Sequence, residues 1–579
     1  MPKFLLGVLS GVLLVFFLIG AVFLLLVMAS GSSAPGVAND SVLEIYLSGD
    51  LPEHVSEDVS FASLQGRTPV TLLTVLKAIE KAALDDRISA LEIELDGLQV
   101  GWAKAQEVRW AIEKFRDSDK PVYAYLVNAS TIDYYVASAA DDLRSPPESV
   151  LDVKGLRAEV AFYKDLFEKV GVDIEMERIG KFKSAAEPYS RSSMSDEFRQ
   201  VLDAMLDEYM KQFLDGVAPR RNKTTEELRA LLDEGPFLPD QAVEAGLIDG
   251  LTYPDEQDEL IRNALVVDEL NKVTLSEYVR SGAIQLEQSS TNRIAVLYGV
   301  GSIMRSSGGV FGGDSVLSSD DFNETVRQLR DDDSIDAVVL RIDSPGGDAI
   351  ASDDMWRELN LLADEKPIVV SMSDVAASGG YYMAMIKDAP VLAYPGTVTG
   401  SIGVFFGKVN LRGLYDKIGL KKEILTRGRF AAIDSDYLPL GDAERVKLRE
   451  GIEHIYHGFV SKVADARGKE YDAIHEVAQG HVWLGVQALE NGLVDELGGF
   501  ERAIALAKER SGIKEDDDVS LVVYPSTKNL LEILFEDGSF PQAKLSFDGF
   551  DLLKSADRNF PALLQGGMLA VTPYALSIR

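Results

Sequence analysis

The sequence predicts an α/β chain of two tandem parallel-sheet domains behind an N-terminal transmembrane helix. Three observations predict it: an uncharged apolar run from Phe4 to Met28, an internal repeat at a nearly constant offset, and short apolar strands alternating with helical stretches. A length of 579 residues requires more than one domain, because single cores stop growing beyond about 250–300 residues. The net charge of −35 argues against a nucleic-acid partner, since phosphate binding needs a basic surface. The complete lack of cysteine excludes disulfides, thiolate catalysis and cysteine-based metal sites.

Taken in order, Phe4 to Met28 exceeds the roughly 20 residues a bilayer-spanning helix needs and the 7–15 of a cleaved signal's apolar region. It therefore reads as an uncleaved signal anchor. Lys3 precedes it and Asp40, Glu44 and Asp50 follow, so the positive-inside rule leaves residues 1–3 in the cytoplasm and carries the remainder across. The small and polar residues 29–39 form a tether.

Beyond the tether the chain repeats itself. Asp85 to Asp96 (DDRISALEIELD) matches Asp332 to Asp343 (DDSIDAVVLRID) at a shift of 247 positions, which also lays Tyr134-Tyr135 on Tyr381-Tyr382. Gln241 to Asp249 matches Gln487 to Asp495 at a shift of 246. In each copy, apolar strands such as Ala337–Ile342 and Pro367–Met372 alternate with helical patterns such as Asp353–Asp364, as βαβ units with a parallel sheet do. Long charged helices, Asp196–Val217 and Asp442–Arg467, close the copies. The expected domains are residues 40–250 and 293–514, joined by a connector at 251–292 and followed by a tail at 515–579. That tail holds the strand-like Val519–Tyr524 and an apolar end, Phe560–Ile578, that either packs on the body or touches membrane.

The differences between the copies carry the chemistry. Ser378 lies in AASGGYYMA (Ala376–Ala384), between a strand and a helix start, and two glycines let a substrate backbone approach its hydroxyl. Its counterpart in the first copy is Thr131, followed by Ile132 and Asp133, so the open turn is missing there. The glycine pair Gly346-Gly347 of Ser344-Pro-Gly-Gly347 is likewise confined to the second copy; it either faces an oxyanion or merely turns the chain. Conversely, Lys183 in Arg178–Ser184 corresponds to Ala431. Neither copy is a complete catalyst. Together they supply a nucleophile and a base, provided burial lowers the lysine pKa. On spacing alone Lys181 is as available as Lys183.

Five histidines offer little competition. His454 and His457 share a helix face with no third ligand in view, and the glycine-rich stretches lack the Lys-Ser/Thr of a phosphate loop. No metal or other cofactor is expected.

Four stretches, Ser344–Gly347, Ala376–Ala384, Thr399–Val404 (TGSIGV) and Gly180–Pro188 (GKFKSAAEP), resemble the long, tandem-domain form of signal peptide peptidase A. The resemblance runs from about residue 40 to 525. It implies tandem ClpP/crotonase-like domains and a membrane-anchored serine endopeptidase of the inner (plasma) membrane, single-pass, with its active site on the periplasmic or extracytoplasmic side. It further implies a bowl-shaped homotetramer, no cofactor, and as substrates signal peptides left in the membrane and other apolar extended peptides. Carried over by residue, it implies Ser378 as nucleophile, Lys183 as general base in preference to Lys181, Ser401 as the lysine-orienting hydroxyl, and backbone N–H groups of Gly346, Gly347 and Gly379 as oxyanion hole. Two positions depart from the pattern. Asp348 replaces a serine, placing a negative charge near the oxyanion site, and His481 replaces an arginine. A crotonase-type acyl-CoA enzyme, working through carboxylates, and an inactive membrane scaffold are the other classes to weigh.

Overall fold

The computed structural model describes residues 36–55, 70–282, 290–306, 316–525 and 567–571. The expected span Phe4–Met28 lies outside them; among the described residues no helix is long and apolar enough to cross a membrane.

In the first copy the strands are β1 (Ser41–Gly49), β2 (Ile88–Leu98), β3 (Val122–Asn128), β4 (Asp142–Ser145), β5 (Asp173–Ile179), β6 (Gly250–Leu251) and β7 (Asn271–Thr274). All but β5 form one parallel sheet in the order β6-β4-β3-β2-β1-β7. The second copy contributes β8 (Arg293–Val300), β9 (Ser302–Met304), β10 (Val316–Ser318), β11 (Ala337–Ser344), β12 (Gly346–Asp348), β13 (Ile368–Ala377), β14 (Val391–Ala393), β15 (Val398–Gly400), β16 (Val404–Asn410), β17 (Val482–Leu484), β18 (Glu496–Leu497) and β19 (Ser520–Tyr524). A last strand, β20, spans Gly567–Val571. In the second sheet β18, β14, β13, β11, β8 and β19 neighbour one another in parallel, the topology of the first sheet repeated. The chain is thus an α/β protein whose repeated sequence folds twice in the same way. Residues 271–274, inside the stretch read as a connector, pair with β1 as the edge strand of the first sheet.

The central strands are apolar on both faces because helices cover both sides, the usual state of parallel sheets. Leu91, Ile93 and Leu95 of β2 and Val338, Leu340 and Ile342 of β11 are buried in the two main cores. The long helices form over Asp196–Val217 and Asp442–Arg467 as the sequence predicts. Three boundaries differ. β11 continues to Ser344 and β13 to Ala377, and the helix read as Asp353–Asp364 begins at Ala349, where the Asp348 side chain caps the Ile350 and Ala351 N–H groups. β13 is longer because its polar residues have buried partners in the other copy: Ser373 Oγ donates to Glu53, and Asp374 accepts from the Gly101 and Lys104 N–H groups at 2.8 and 2.9 Å.

Two devices fix one copy against the other. The first is a third sheet, β10-β9-β12-β20-β16-β5, in which β5 and β16 run antiparallel from Ile179↔Val404 to Asp173↔Asn410. The second is a buried ion cluster. Arg341 of β11, fully buried, donates to Glu53 at 2.9 and 3.0 Å, Glu107 at 2.7 Å, and Ser371 Oγ at 2.9 Å. Burial pushes Glu53 toward its neutral form, but Arg341 and Lys104 outweigh it and hold the carboxyl below its ordinary range.

Candidate active site

β13 ends at Ala377 and a short helix, Gly379–Met383, starts one residue later, leaving Ser378 at the junction with φ 55° and ψ −114°. A non-glycine residue in that region is strained by about 1–3 kcal/mol and must be held there by its neighbours. It is: the Ser378 N–H donates to Gly400 O at 2.8 Å, and the Ser378 carbonyl accepts from the Tyr382 N–H at 2.8 Å. The Ala377↔Gly400 pairing of β13 with β15 sets Ser401 beside Ser378. Ser401 also has positive φ, 52°, and its N–H donates to His481 O at 2.7 Å.

Lys183 reaches this point from the other copy. The register Ile179↔Val404 means that the chain leaving β5 and the chain entering β16 lie at the same end of the ladder, so residues 180–183 and 401–403 meet. Gly180, at φ +100°, lets the turn press against Gln479, and the Phe182 N–H donates to Gln479 O at 3.0 Å. Arg178 ties the loop down by donating to Lys183 O and Glu187 Oε1, both at 3.0 Å. The Lys183 amine then lies 2.7 Å from Ser378 Oγ, 3.0 Å from Ser401 Oγ and 3.0 Å from Ser401 O. Lys183, Ser378 and Ser401 are all wholly buried.

Burial holds the Lys183 ammonium well below the ordinary lysine pKa of 10.5. A neutral amine has two N–H groups and one lone pair, and the site fits that count. The N–H groups donate to Ser401 O and Oγ, and the lone pair faces the Ser378 hydroxyl, the geometry of a base poised over a nucleophile. This depression has a stability consequence. Below pH 10.5 the unfolded chain carries a proton on Lys183 that the folded chain releases at lower pH, so stability rises with pH through that window. Lys183→Met is therefore expected to unfold at a higher temperature than the parent at pH 7, with the gap narrowing as pH approaches 10.5. Calorimetry across that range checks it.

The glycines lie as close as the sequence requires. A Cβ on Gly379 would come within 3.1 Å of Gly347 N and 3.0 Å of Gly346 Cα, so the turn after Ser378 packs directly on the glycine pair. Gly346 has φ +92° and donates its N–H to Ser344 Oγ at 3.2 Å. The Asp348 carboxylate is turned onto the helix start and pairs with Arg305 at 3.4 Å, which neutralises the charge expected near the glycines. His481 stacks on Trp483 with centroids 3.7 Å apart and meets Phe182 edge-on at 4.4 Å, its pKa pushed down to about 4 by burial. It thus packs as a neutral aromatic against the residue preceding Lys183.

Lys181 is exposed and its amine lies over the Phe182 ring, outside the cluster. Thr131 opens a helix capped by Ser130, and Ala431 lies in an open turn. Among the described residues no group of three or more metal-ligating side chains occurs, and His457 is hydrogen-bonded to the Tyr471 hydroxyl.

Two further glycines, one of them within Thr399–Val404, complete the site. Gly480, at φ +78°, packs its backbone on Lys183: an added Cβ would lie 2.5 Å from the Lys183 Cβ, and one on Gly403 would lie 3.2 Å from its Cδ. Gly480→Ala is expected to displace the amine and lower kcat on a peptide substrate by about 100-fold, the cost of roughly 1 Å of misplacement. Steady-state kinetics test this. Gly480 belongs to none of the four quoted stretches, and only its contact with Lys183 reveals it.

The model of peptidase family S49 matches residues 114–266 and 360–514, one segment in each copy. The chain is 36% identical over 510 residues to "Serine protease SPPA, chloroplastic" of Arabidopsis thaliana, covering 87% of this chain and 74% of that protein. It is 32% identical over 462 residues to "Protease 4" of Salmonella typhi, covering 77% and 73%. Among solved structures, ClpP1 from Listeria monocytogenes aligns with a TM-score of 0.22 and 14% identity, covering 36% of this chain and 91% of that one.

Proposed function

Because the chain belongs to peptidase family S49 and is a serine peptidase, we propose that it is a membrane-anchored endopeptidase working through Ser378 and Lys183. The supporting observation is the 2.7 Å contact between a buried lysine amine and a buried serine hydroxyl that come from different copies of the repeat.

In this reading Lys183, kept neutral by burial, takes the Ser378 proton as Oγ attacks the scissile carbonyl, and returns it to the leaving amine. Ser401 holds the amine by two hydrogen bonds, so the lone pair stays aimed at Oγ. The Gly347 and Gly379 N–H groups stabilise the oxyanion, while Gly346, whose own N–H is spent on Ser344, turns the chain between them. Water then releases the acyl-enzyme by the same proton route in reverse. Phe4–Met28 anchors the chain in the inner (plasma) membrane with both copies on the extracytoplasmic side, four copies assemble, and the substrates are extended apolar peptides such as spent signal peptides. The test is incubation of the full chain in vesicles with a synthetic signal peptide, followed by mass spectrometry. Cleavage inside the apolar stretch, lost on Ser378→Ala, is expected; a peptide left intact by the parent chain contradicts the reading.

A further inference from the structure

Residues 478–481 join the helix Tyr471–Val477 to β17, and they form a wedge between the two loops that carry the site. On one side the Gln479 carbonyl accepts the Phe182 N–H at 3.0 Å, and the Gly480 backbone lies against Lys183. On the other side the Gly480 N–H donates to Ile402 O and the Ser401 N–H to His481 O, both at 2.7 Å. The turn needs left-handed backbone at two successive residues, Gln479 at φ 55° and Gly480 at φ 78°. Glycine adopts it freely, whereas a glutamine keeps it only where its neighbours over-determine it.

What holds Gln479 comes from behind the site. Its N–H donates to the Tyr456 hydroxyl at 3.3 Å, and its side-chain amide donates to His475 O at 3.4 Å. Tyr456 is 2% exposed, in the long helix Asp442–Arg467, and burial pushes its pKa up to about 12, so the hydroxyl keeps its proton. A backbone N–H can only donate. The hydroxyl therefore accepts from Gln479 and directs its own proton to His475 Nδ1, 2.8 Å away, which assigns the imidazole proton to Nε2. The repeat supplies a comparison. The shift of 247 positions lays Tyr209 on Tyr456, equally buried, but its hydroxyl donates instead to Gly396 O at 3.0 Å, across the seam between the copies.

We infer that Tyr456 and His475 are positioning residues for the Lys183 base: the hydroxyl fixes the Gln479 backbone, and the Gln479–Gly480 turn holds the Lys183 chain against Ser401 and Ser378. The inference rests on the reading of Lys183 as general base. Neither group is a hydrogen-bond partner of the amine, so both act through the backbone. A loosened turn displaces the amine from Ser378 Oγ, and it also admits water, which weakens the desolvation that keeps the amine neutral.

The experiment compares Tyr456→Phe, which removes only the hydroxyl, with Tyr209→Phe, which removes the matching hydroxyl of the first copy. Tyr456→Phe is expected to lower kcat on an extended peptide about tenfold at unchanged KM, less than the roughly 100-fold of a full ångström of misplacement, because the Gly480 tie to Ile402 remains. The apparent pKa of fluorophosphonate labelling at Ser378 rises toward the ordinary lysine value, and the Phe182 amide exchanges faster with deuterium. Tyr209→Phe leaves kcat and that pKa at the parent values. His475→Ala repeats the Tyr456→Phe pattern, while His475→Asn, whose side-chain oxygen accepts where Nδ1 did, restores the parent rate; this pair decides if Tyr456→Phe does not fold. Parent values of kcat and apparent pKa in Tyr456→Phe overturn the inference, as do equal losses in Tyr209→Phe, which would mark a general loss of stability. Faster Phe182 exchange in Tyr456→Phe beside undiminished labelling of Lys183→Ala would instead count against the base reading alone.

Discussion

Replacing either Ser378 or Lys183 with alanine is expected to lower kcat/KM on an extended peptide by about 10⁴-fold or more, the scale seen when one member of a nucleophile–base unit is removed. Removing both should cost little more than removing one, because the groups act as a unit. The geometry sets this expectation. Among the described residues the amine has three polar partners within 3.0 Å, two of them supplied by Ser401, which leaves Ser378 Oγ as the atom on which it can act as base. Lys183→Arg should not restore activity, since a guanidinium stays protonated at any working pH. Steady-state kinetics of the single and double variants decide the point, and additive losses would contradict a coupled unit.

Arg341→Met is expected to destabilise the folded chain by about 3–5 kcal/mol, since it removes one partner from a buried ion cluster and leaves the others uncompensated. Among the described residues Arg341 is the sole cation bonded to Glu107, while Glu53 keeps only Lys104 at 4.0 Å. Glu107, which burial already pushes toward its neutral form, also accepts the Phe500 N–H at 2.6 Å. Because Glu53 and Glu107 belong to the first copy and Arg341 to the second, the loss falls on the contact between the copies. Denaturant unfolding measures it, and a change under 1 kcal/mol, the worth of an exposed pair, would show that the cluster is not needed to hold them.

The repeat could be read from the sequence because it leaves a constant offset, and the sheets because parallel strands are short apolar runs between helices. The helices Asp196–Val217 and Asp442–Arg467 were legible for a similar reason: long, charged and free of interior proline. What escaped was long-range. Periodicity does not encode which edges meet, so the β5–β16 ladder that carries Lys183 to Ser378 had no local signal. Arg341 interrupts an apolar strand, yet it is fully buried, with its carboxylate partners Glu53 and Glu107 lying 288 and 234 positions away in the chain. β13 outran its apolar core because Ser373 and Asp374 find polar partners across the interface. The apolar end Phe560–Ile578 gave no direction; its described part, β20, packs on the body.

The central claim, that burial leaves Lys183 uncharged and able to activate Ser378, is tested most directly by the rate at which a fluorophosphonate labels the protein as a function of pH. The account predicts label on Ser378 at neutral pH, a rate that rises through an apparent pKa well below the ordinary lysine value of 10.5, and no labelling of Lys183→Ala at pH 7. Labelling of Lys183→Ala at the parent rate would contradict it.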